Sequence, residues 1–232
     1  LGVGALISAA GLAGKPILSH HIAFQLAPRL NASGRIGSAK IAFELLTSHD
    51  EERAQELALF LNKENDQRKQ LEQQIISEAD VLLQNYDFKR NRVIAIVGDG
   101  WNEGVIGLAA SRILERYHMP VMVFSRCNDT LVGSCRSIEA VNIHAVLTSC
   151  ADLFTRFGGH KAAAGLTLPA ANFSEMLRRI NEYIDSNCDA AGYTPVSLYD
   201  CKPELSELTL EAMHALECFQ PTGMGNPAPL FL

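Results

Sequence analysis

The sequence has 232 residues, of which 47% are hydrophobic and 20% are charged, and its formal net charge is −6. These values predict a globular protein of one or two domains, and no stretch reaches the roughly 18 to 20 apolar residues of a membrane helix. The lack of a Cys-x-x-Cys pair disfavours a zinc knuckle or a disulfide framework and predicts reduced thiols in a cytoplasmic protein. The cysteines are Cys127, Cys135, Cys150, Cys188, Cys201 and Cys218.

The charge is unevenly distributed along the chain. Residues 1–43 contain four cations and no acid, so the remaining residues must carry −10 to give the net −6. This asymmetry favours a local anion site over a surface that coats nucleic acid broadly, with chance clustering as the alternative. The apolar start has neither a basic leader nor a methionine, which favours a fragment of a longer protein over a signal peptide.

The first elements in chain order are helical. Residues 1–13 predict a buried helix, and residues 38–48 predict another with Ser38 as its N-cap. Between them, "QLAPRLNASGRIG" predicts a turn-rich connector, because residues that favour turns interrupt it. These residues are Pro28, Asn31, Ser33, Gly34 and Gly37.

A long helix is predicted from about Asp50 to Gln84, where neither Gly nor Pro occurs and apolar residues recur at helical spacing. At about 1.5 Å per residue such a helix would be roughly 50 Å long. Asn65 and Arg68 interrupt its apolar stripe. A solvated gap between two packing surfaces explains the interruption, and so does a helix that bridges two domains across a cleft.

The period then changes to alternating strands and helices, which predicts an α/β sheet. The predicted strands are 92–98, 120–125, 130–137 and 162–168, and the predicted helices are 104–118, 142–157 with Asn142 as N-cap, 172–186 and 208–218. The chain ends with the turn "PTGMGNPAP" and a few residues typical of a strand.

The loop "GDGWNEGVIG" departs from a dinucleotide-binding fingerprint, because Glu103 stands where the third glycine is required. The helix that begins near Gly104 could still direct its amide dipoles at an anion. Trp101, the single tryptophan, has two interpretations: a hydrophobic lid on the core, or a stacking surface for a base.

Two further motifs have the chemistry of phosphate binding. In "GSCRS", Ser134 and Arg136 are two residues apart and share one side of a strand, where a guanidinium and a hydroxyl suit a phosphate; a pair with Glu139 is the alternative. In "RFGGHKAAAGLTL", Gly158 and Gly159 would free the backbone for close approach of an anion, and His160 could donate to it. The alternative is tight packing that requires small residues.

Five collinear segments spanning nearly the whole chain resemble the RecJ family of the DHH phosphoesterase superfamily, whose second half is a DHHA1 domain. They are "APRLNASGRIGSAKIAFELL", "LNKENDQRKQLEQQI", "WNEGVIGLAASRILERYHMPVMVF", "VGSCRSIEAVNIHAVLTSCADLFTRFGGHKAAAGLTL" and "FQPTGMGNPAPLF". The resemblance implies a remnant of the DHH domain at 1–48, a connecting helix at 49–90, a DHHA1 domain at 91–190 and the start of an OB-like domain at 191–232. The implied fold class is an α/β sheet flanked by helices.

By resemblance, three groups of residues lie near the DNA end and its phosphates. These are Arg29, Asn31 and Arg35; Ser134 and Arg136; and Gly158, Gly159 and His160, which by resemblance face the metal centre across the cleft and hold substrate phosphate. The sequence departs from the family at Asn102, where a histidine is frequent, and at His21 and Ala23, which replace an acid and a glycine; contacts made by those groups are in doubt.

The resemblance implies the substrate-binding half of a 5′→3′ single-stranded DNA exonuclease of DNA repair and recombination. Its Mn²⁺ or Mg²⁺ would be held by DHH motifs that this sequence lacks, so the fragment is expected to bind no metal and to be inactive alone. Candidate partners are single-stranded DNA, single-strand-binding protein and a helicase, with no membrane. The alternatives are a phosphodiesterase for short oligonucleotides or cyclic dinucleotides, and a non-catalytic module that binds nucleic acid or a partner.

Overall fold

The structure of the protein, a computed structural model, describes residues 1–232. The chain forms two compact units. The helical unit comprises Leu1–Asn65 and Val196–Leu232, and the sheet unit comprises Asp66–Pro195. The long predicted helix is confirmed as one continuous element, Glu51–Leu83, whose N-terminal half lies in the first unit and C-terminal half in the second.

The helical unit is built from short helices that pack on the first half of this long helix. The short helices are α1 (Gly2–Ala9), α2 (Ser19–His21), a π-helical segment (Ile22–Leu26), α3 (Ala27–Ile36) and α4 (Lys40–Thr47), and the long helix is α5 (Glu51–Leu83). Their core includes Leu6 and Leu45, which meet Leu57 and Leu61 of α5. The apolar residues at helical spacing in 54–61 therefore form the buried face of α5, as their spacing predicts.

The prediction of a turn-rich connector before Gly37 is wrong, since most of it is helix α3. Pro28 lies in the first turn, where its missing N–H leaves no bond unmade. Ala32 and Ser33 are completely buried, and the Ser33 hydroxyl donates to the Leu30 carbonyl at 3.1 Å. Tertiary burial on one face has outweighed the weak helix propensity of Asn, Ser and Gly.

Two smaller predictions in this unit also need correction. The N-cap of α4 is Ala39 rather than Ser38, although the Ser38 hydroxyl accepts the N–H of Lys40 at 3.4 Å. The first helix ends at Ala9 rather than near residue 13, and Gly11 follows with a positive φ of 72°.

The sheet unit contains a five-stranded sheet of order β1-β2-β3-β5-β4, in which β1 and β2 are parallel and the other pairs are antiparallel. The α/β prediction is confirmed. The strands are β1 (Ile94–Asp99), β2 (Val121–Cys127), β3 (Thr130–Arg136), β4 (Arg156–His160) and β5 (Ala163–Pro169), and the helices are α6 (Ile106–Tyr117), α7 (Ile143–Thr148) and α8 (Phe173–Asn187).

Each face of the sheet has its own core. On one face, Ile94 and Val123 pack with α6 and with the last turns of α5, around Ile75. On the other, Phe124 and Leu166 pack among α7 and α8. Adjacent residues of a strand point to opposite faces of the sheet, so each central strand contributes alternate side chains to the two cores.

The segment between Asn142 and His160 differs from its prediction. Asn142 caps α7 as predicted, since its side chain accepts the N–H of Ala145 at 3.2 Å. The helix nevertheless ends at Thr148, and residues 156–160 form the edge strand β4. Two glycines lower the strand propensity of this stretch. Its pairing with β5 stabilises the strand that the local sequence does not favour.

The last residues form α9 (Leu210–Ala215) and a 3₁₀ turn (Leu216–Phe219). Residues 196–232 include no buried residue. None of the helices in the chain combines the length and the apolar character needed to span a bilayer.

Candidate phosphate-binding face

The sheet register places the residues singled out in the sequence on one face of the sheet. Ser134 lies opposite Gly165, which lies opposite Gly158. Arg136, Ala163 and His160 form a second such row, and Val132, Thr167 and Arg156 a third. Because directly opposed residues point to the same side, these nine side-chain positions share a face. We call this surface of β3, β5 and β4 the open face.

The open face is covered only at its β3 side. Helix α6 packs on β2 and β3, whereas Gly158, His160 and Gly165 are exposed. The middle of the face carries Gly158, Gly165 and Ala163, so nothing larger than a methyl group stands there. These small residues leave the backbone of β5 and β4 accessible between Arg136 and His160, whereas Ala164 of the same run lies on the opposite face and is buried in the core.

The first turn of α6 lies directly against the Ser134–Arg136 pair. A Cβ atom on Gly107 would be 2.8 Å from the Ser134 Oγ and 3.0 Å from the Arg136 Nη2. The glycine is thus required for this close approach. The positive end of the helix dipole adds to the charge of the guanidinium at this point.

The Arg136 guanidinium is held in place by neutral acceptors. Its Nε donates to the Ser111 Oγ at 3.1 Å, and its Nη1 donates to the Ser134 Oγ at 3.3 Å and to the Cys135 carbonyl at 2.8 Å. Glu139, the alternative partner in the sequence, lies 3.9 Å from the Lys161 Nζ. These hydrogen bonds orient the guanidinium beside Ser134 on the open face, in a planar geometry that suits an oxyanion.

The two glycines of β4 have different roles. Gly159 has a φ of 151°, and a Cβ atom there would lie 2.4 Å from the Ala163 carbonyl oxygen. A Cβ atom on Gly158 would meet nothing within 4 Å, because it would project from the open face. Gly159 is therefore required by the fold, whereas Gly158 keeps the surface clear.

His160 is oriented by its own backbone turn. The Ala162 N–H donates to the His160 Nδ1 at 3.3 Å. In a neutral imidazole whose Nδ1 accepts, the proton resides on Nε2. The exposed ring consequently presents an N–H donor at the end of β4.

Trp101 is a hydrophobic lid on the core, the first of the two interpretations of its sequence. The indole is 5% exposed and packs over Gly98, where a Cβ atom would lie 2.0 Å from the ring. Its Nε1 donates to the Glu78 Oε2 at 2.6 Å, and this hydrogen bond, helped by one from Gln74, lowers the pKa of the Glu78 carboxyl. The ring is part of the core between α5 and β1 and offers no face for a base.

The three candidate site residues of the helical unit lie on α3 but have different surroundings. Arg29 donates through Nε to the Asn62 Oδ1 at 2.9 Å and through Nη1 to the Gln25 carbonyl at 2.7 Å, so it ties α3 to α5. Asn31 and Arg35 are exposed and four residues apart, on one side of the helix. The structure therefore groups Asn31 with Arg35 and uses Arg29 as a packing contact.

The sequence did not single out Arg156, the second arginine of the open face. Arg156 lies on the same side of β4 as Gly158 and His160, at the position opposite Thr167. Period-2 alternation would have found it if residues 156–160 had been predicted as a strand.

The chain offers no ligand set for a divalent metal. No three or more His, Cys, Asp or Glu side chains cluster in a way that could hold an ion. The chemistry of the open face is that of an arginine, a histidine and hydroxyl groups, which are donors for oxyanions rather than metal ligands.

Comparison with known proteins gives the class of the sheet unit. Residues 90–186 match the family model of the DHHA1 domain. The chain is 34% identical over 210 residues to the single-stranded-DNA-specific exonuclease RecJ of Bacillus subtilis, covering 90% of this chain and 27% of that protein. It is 32% identical over 238 residues to the RecJ of Escherichia coli, covering 99% of this chain and 41% of that protein.

Solved structures agree with this class. RecJ from Thermus thermophilus in complex with Mg²⁺ matches 99% of this chain and 35% of its own, with a TM-score of 0.83 and 32% identity. The fold and sequence define a protein that carries a DHHA1 domain. The chain is similar to the RecJ exonucleases over 90–100% of its own length, and it spans between 27% and 42% of the length of the curated relatives that it matches.

Proposed function

We propose that this chain is the substrate-binding part of a 5′→3′ exonuclease that degrades single-stranded DNA in repair and recombination. The observation that carries the proposal is the open face. Its register brings Ser134, Arg136, Gly158 and His160 together on one exposed side of the sheet. The similarity to RecJ proteins, which are named as single-stranded-DNA-specific exonucleases, supports single-stranded DNA as the substrate class.

The donors of the open face suit a nucleic-acid backbone better than base edges. A guanidinium, hydroxyl groups and an imidazole N–H can each donate to phosphate oxygens, and an arginine can grip two oxygens at once. None of the nine positions of the open face carries a Phe, Tyr or Trp side chain on which a base could stack. Contacts of this kind position a strand without reading its sequence, as a general exonuclease requires.

The proposed role in hydrolysis is to hold the strand and to neutralise its charge. Arg136 and the first turn of α6 would face one side of a phosphate, and the His160 Nε2 would donate from the other. The Mn²⁺ or Mg²⁺ with which RecJ relatives were crystallised belongs, in this proposal, to a DHH domain of the whole protein. In the helical unit, Asn31 and Arg35 are the proposed contacts to DNA.

The same proposal assigns the domains. Residues 1–48 would be part of a DHH domain, 49–90 the connecting helix, 91–190 the DHHA1 domain and 191–232 the start of an OB-like domain. The continuous helix α5 and the family match at 90–186 support the two central assignments.

Binding of a fluorescently labelled single-stranded oligonucleotide to the chain tests the function. We expect His160→Ala to weaken binding by about tenfold, or about 1.4 kcal/mol, with little change in melting temperature because the side chain is exposed. His160→Gln, which keeps a donor near the Nε2 position, should recover part of the loss. Arg136→Gln should weaken binding at least as much.

The controls separate binding from folding. The melting temperature of each variant is measured on the sample used for binding. Affinities equal to the wild type in well-folded His160→Ala and Arg136→Gln would overturn the proposal, and so would a wild-type chain that binds no single-stranded DNA.

A further inference from the structure

Arg156 extends the open face away from the site just described. It is two residues from Gly158 and four from His160 on the same side of β4, or about 7 Å and 13 Å along the strand at about 3.3 Å per residue. Its neighbour on β5 is Thr167, whose hydroxyl lies on the same face. Arg156 itself is exposed.

The side chain of Arg156 makes no hydrogen bond or ion pair in the structure, and this distinguishes it from most arginines of the sheet unit. Arg92 pairs with Asp185, Arg116 with Asp80, and Arg178 with Glu175 and Glu182. A guanidinium on a sheet with no carboxylate beside it retains its full charge for a ligand.

The open face carries cations and no acid. Its side chains are Val132, Ser134, Arg136, Arg156, His160, Ala163 and Thr167, with Gly158 and Gly165. The charged and titratable members all favour an anion, and they are spread along the face rather than gathered at one point. This arrangement is complementary to a chain of phosphates and exceeds what a single phosphate needs.

We propose that Arg156, together with the Thr167 hydroxyl, forms a second phosphate subsite on the open face, which binds the DNA backbone beyond the phosphate held near Gly158 and His160. This inference rests on the proposed function. The bound strand would run along β4, with its backbone on the small residues of the face.

The experiment measures the salt dependence of binding of an oligothymidylate to the chain. Each phosphate contact that is lost lowers the slope of log K against log salt by about 0.7 for a single strand. We expect Arg156→Gln to lower the slope by about that amount and to weaken binding several-fold, whereas Arg156→Lys should keep the slope. The matched control is Arg90→Gln, which removes an exposed arginine beside Phe173 and Arg178, at a site that β4 and β5 do not line.

The outcomes separate this inference from the proposed function. If Arg136→Gln weakens binding while Arg156→Gln and Arg90→Gln behave alike, the second subsite is wrong and the proposed function stands. If the wild-type chain does not bind the oligonucleotide, both are wrong. A smaller slope for Arg156→Gln alone, in a variant with an unchanged melting temperature, supports the subsite.

Discussion

The adjacent glycines of β4 show how one residue type serves two physical purposes. Gly159 is required by its backbone, because its φ of 151° is rarely adopted by residues with a side chain and its Cβ position is filled by Ala163 and Ala164. Gly158 has an unobstructed Cβ position on the open face. The sequence motif alone gives both glycines the same meaning.

This difference predicts that alanine at Gly159 affects stability, whereas alanine at Gly158 affects binding. Gly159→Ala should lower the free energy of unfolding by about 1–3 kcal/mol, since backbone strain and a steric clash combine. Gly158→Ala should change it by less than about 0.5 kcal/mol, and should weaken oligonucleotide binding because a methyl group then stands on the face. Denaturant unfolding and binding are measured on both variants; equal stability losses would contradict the assignment.

The cysteines provide a second prediction at the residue scale. Burial raises the pKa of the Cys135 thiol to about 12 and that of Cys150 to about 11, so both remain protonated and unreactive near pH 8. Cys127, Cys201 and Cys218 are exposed.

Alkylation of the native chain at pH 8, followed by peptide mass spectrometry, should therefore label the three exposed thiols first. Cys135 and Cys150 should react only after denaturation, which serves as the control for complete labelling. Rapid native labelling of Cys135 would show that the core between the sheet and α7 opens readily.

At the scale of elements, local pattern was sufficient where the period is long or uninterrupted. Helix α5 and strand β2 follow their predictions, because apolar residues recur at helical spacing in α5 and β2 is an unbroken apolar run that is buried on both faces. Helix α3 and strand β4 do not, since Pro, Gly and Asn obscure the period. Both exceptions contain candidate site residues, and both are stabilised by partners distant in sequence.

The short helix α7 depends on its cap. It has six residues, and the Asn142 side chain satisfies one of the amide groups at its start. Asn142→Ala should therefore lower the free energy of unfolding by about 1 kcal/mol. Asn142→Asp and Asn142→Ser, which keep a side-chain acceptor, should recover most of the lost stability. An equal loss in all three variants would mean that the Asn142 side chain does not act as a helix cap.

At the scale of the whole molecule, the two units differ in how their residues are buried. The sheet unit has a core on each face of its sheet. The helical unit has one core, on the first half of α5, and residues 196–232 contribute no buried residue. Local stability should follow this distribution, since amides exchange faster where few apolar contacts must be broken.

Hydrogen exchange measured by mass spectrometry tests this expectation. Amides of β2 and β3 should exchange most slowly, and those of residues 196–232 should exchange fastest. A monomeric sample, verified by light scattering, is the control for protection by association. Protection of residues 196–232 comparable to that of β2 would contradict the prediction.

The sequence by itself determined the α/β class, the long helix, most strands, and the pairing of Ser134 with Arg136 on one side of a strand. These features depend on the period of side chains along a single segment, which is local information. The anion-binding character of the candidate residues follows from their side-chain chemistry.

Only the tertiary structure decided that β5 lies between β3 and β4, which places His160 and Arg156 on the same face as Arg136. It also decided that Trp101 is buried and that Arg29 is held by Asn62. The physical reason is that strand order and burial depend on contacts between segments far apart in the chain. The stabilisation from such a contact depends on both surfaces that form it, so it cannot be predicted from either segment alone.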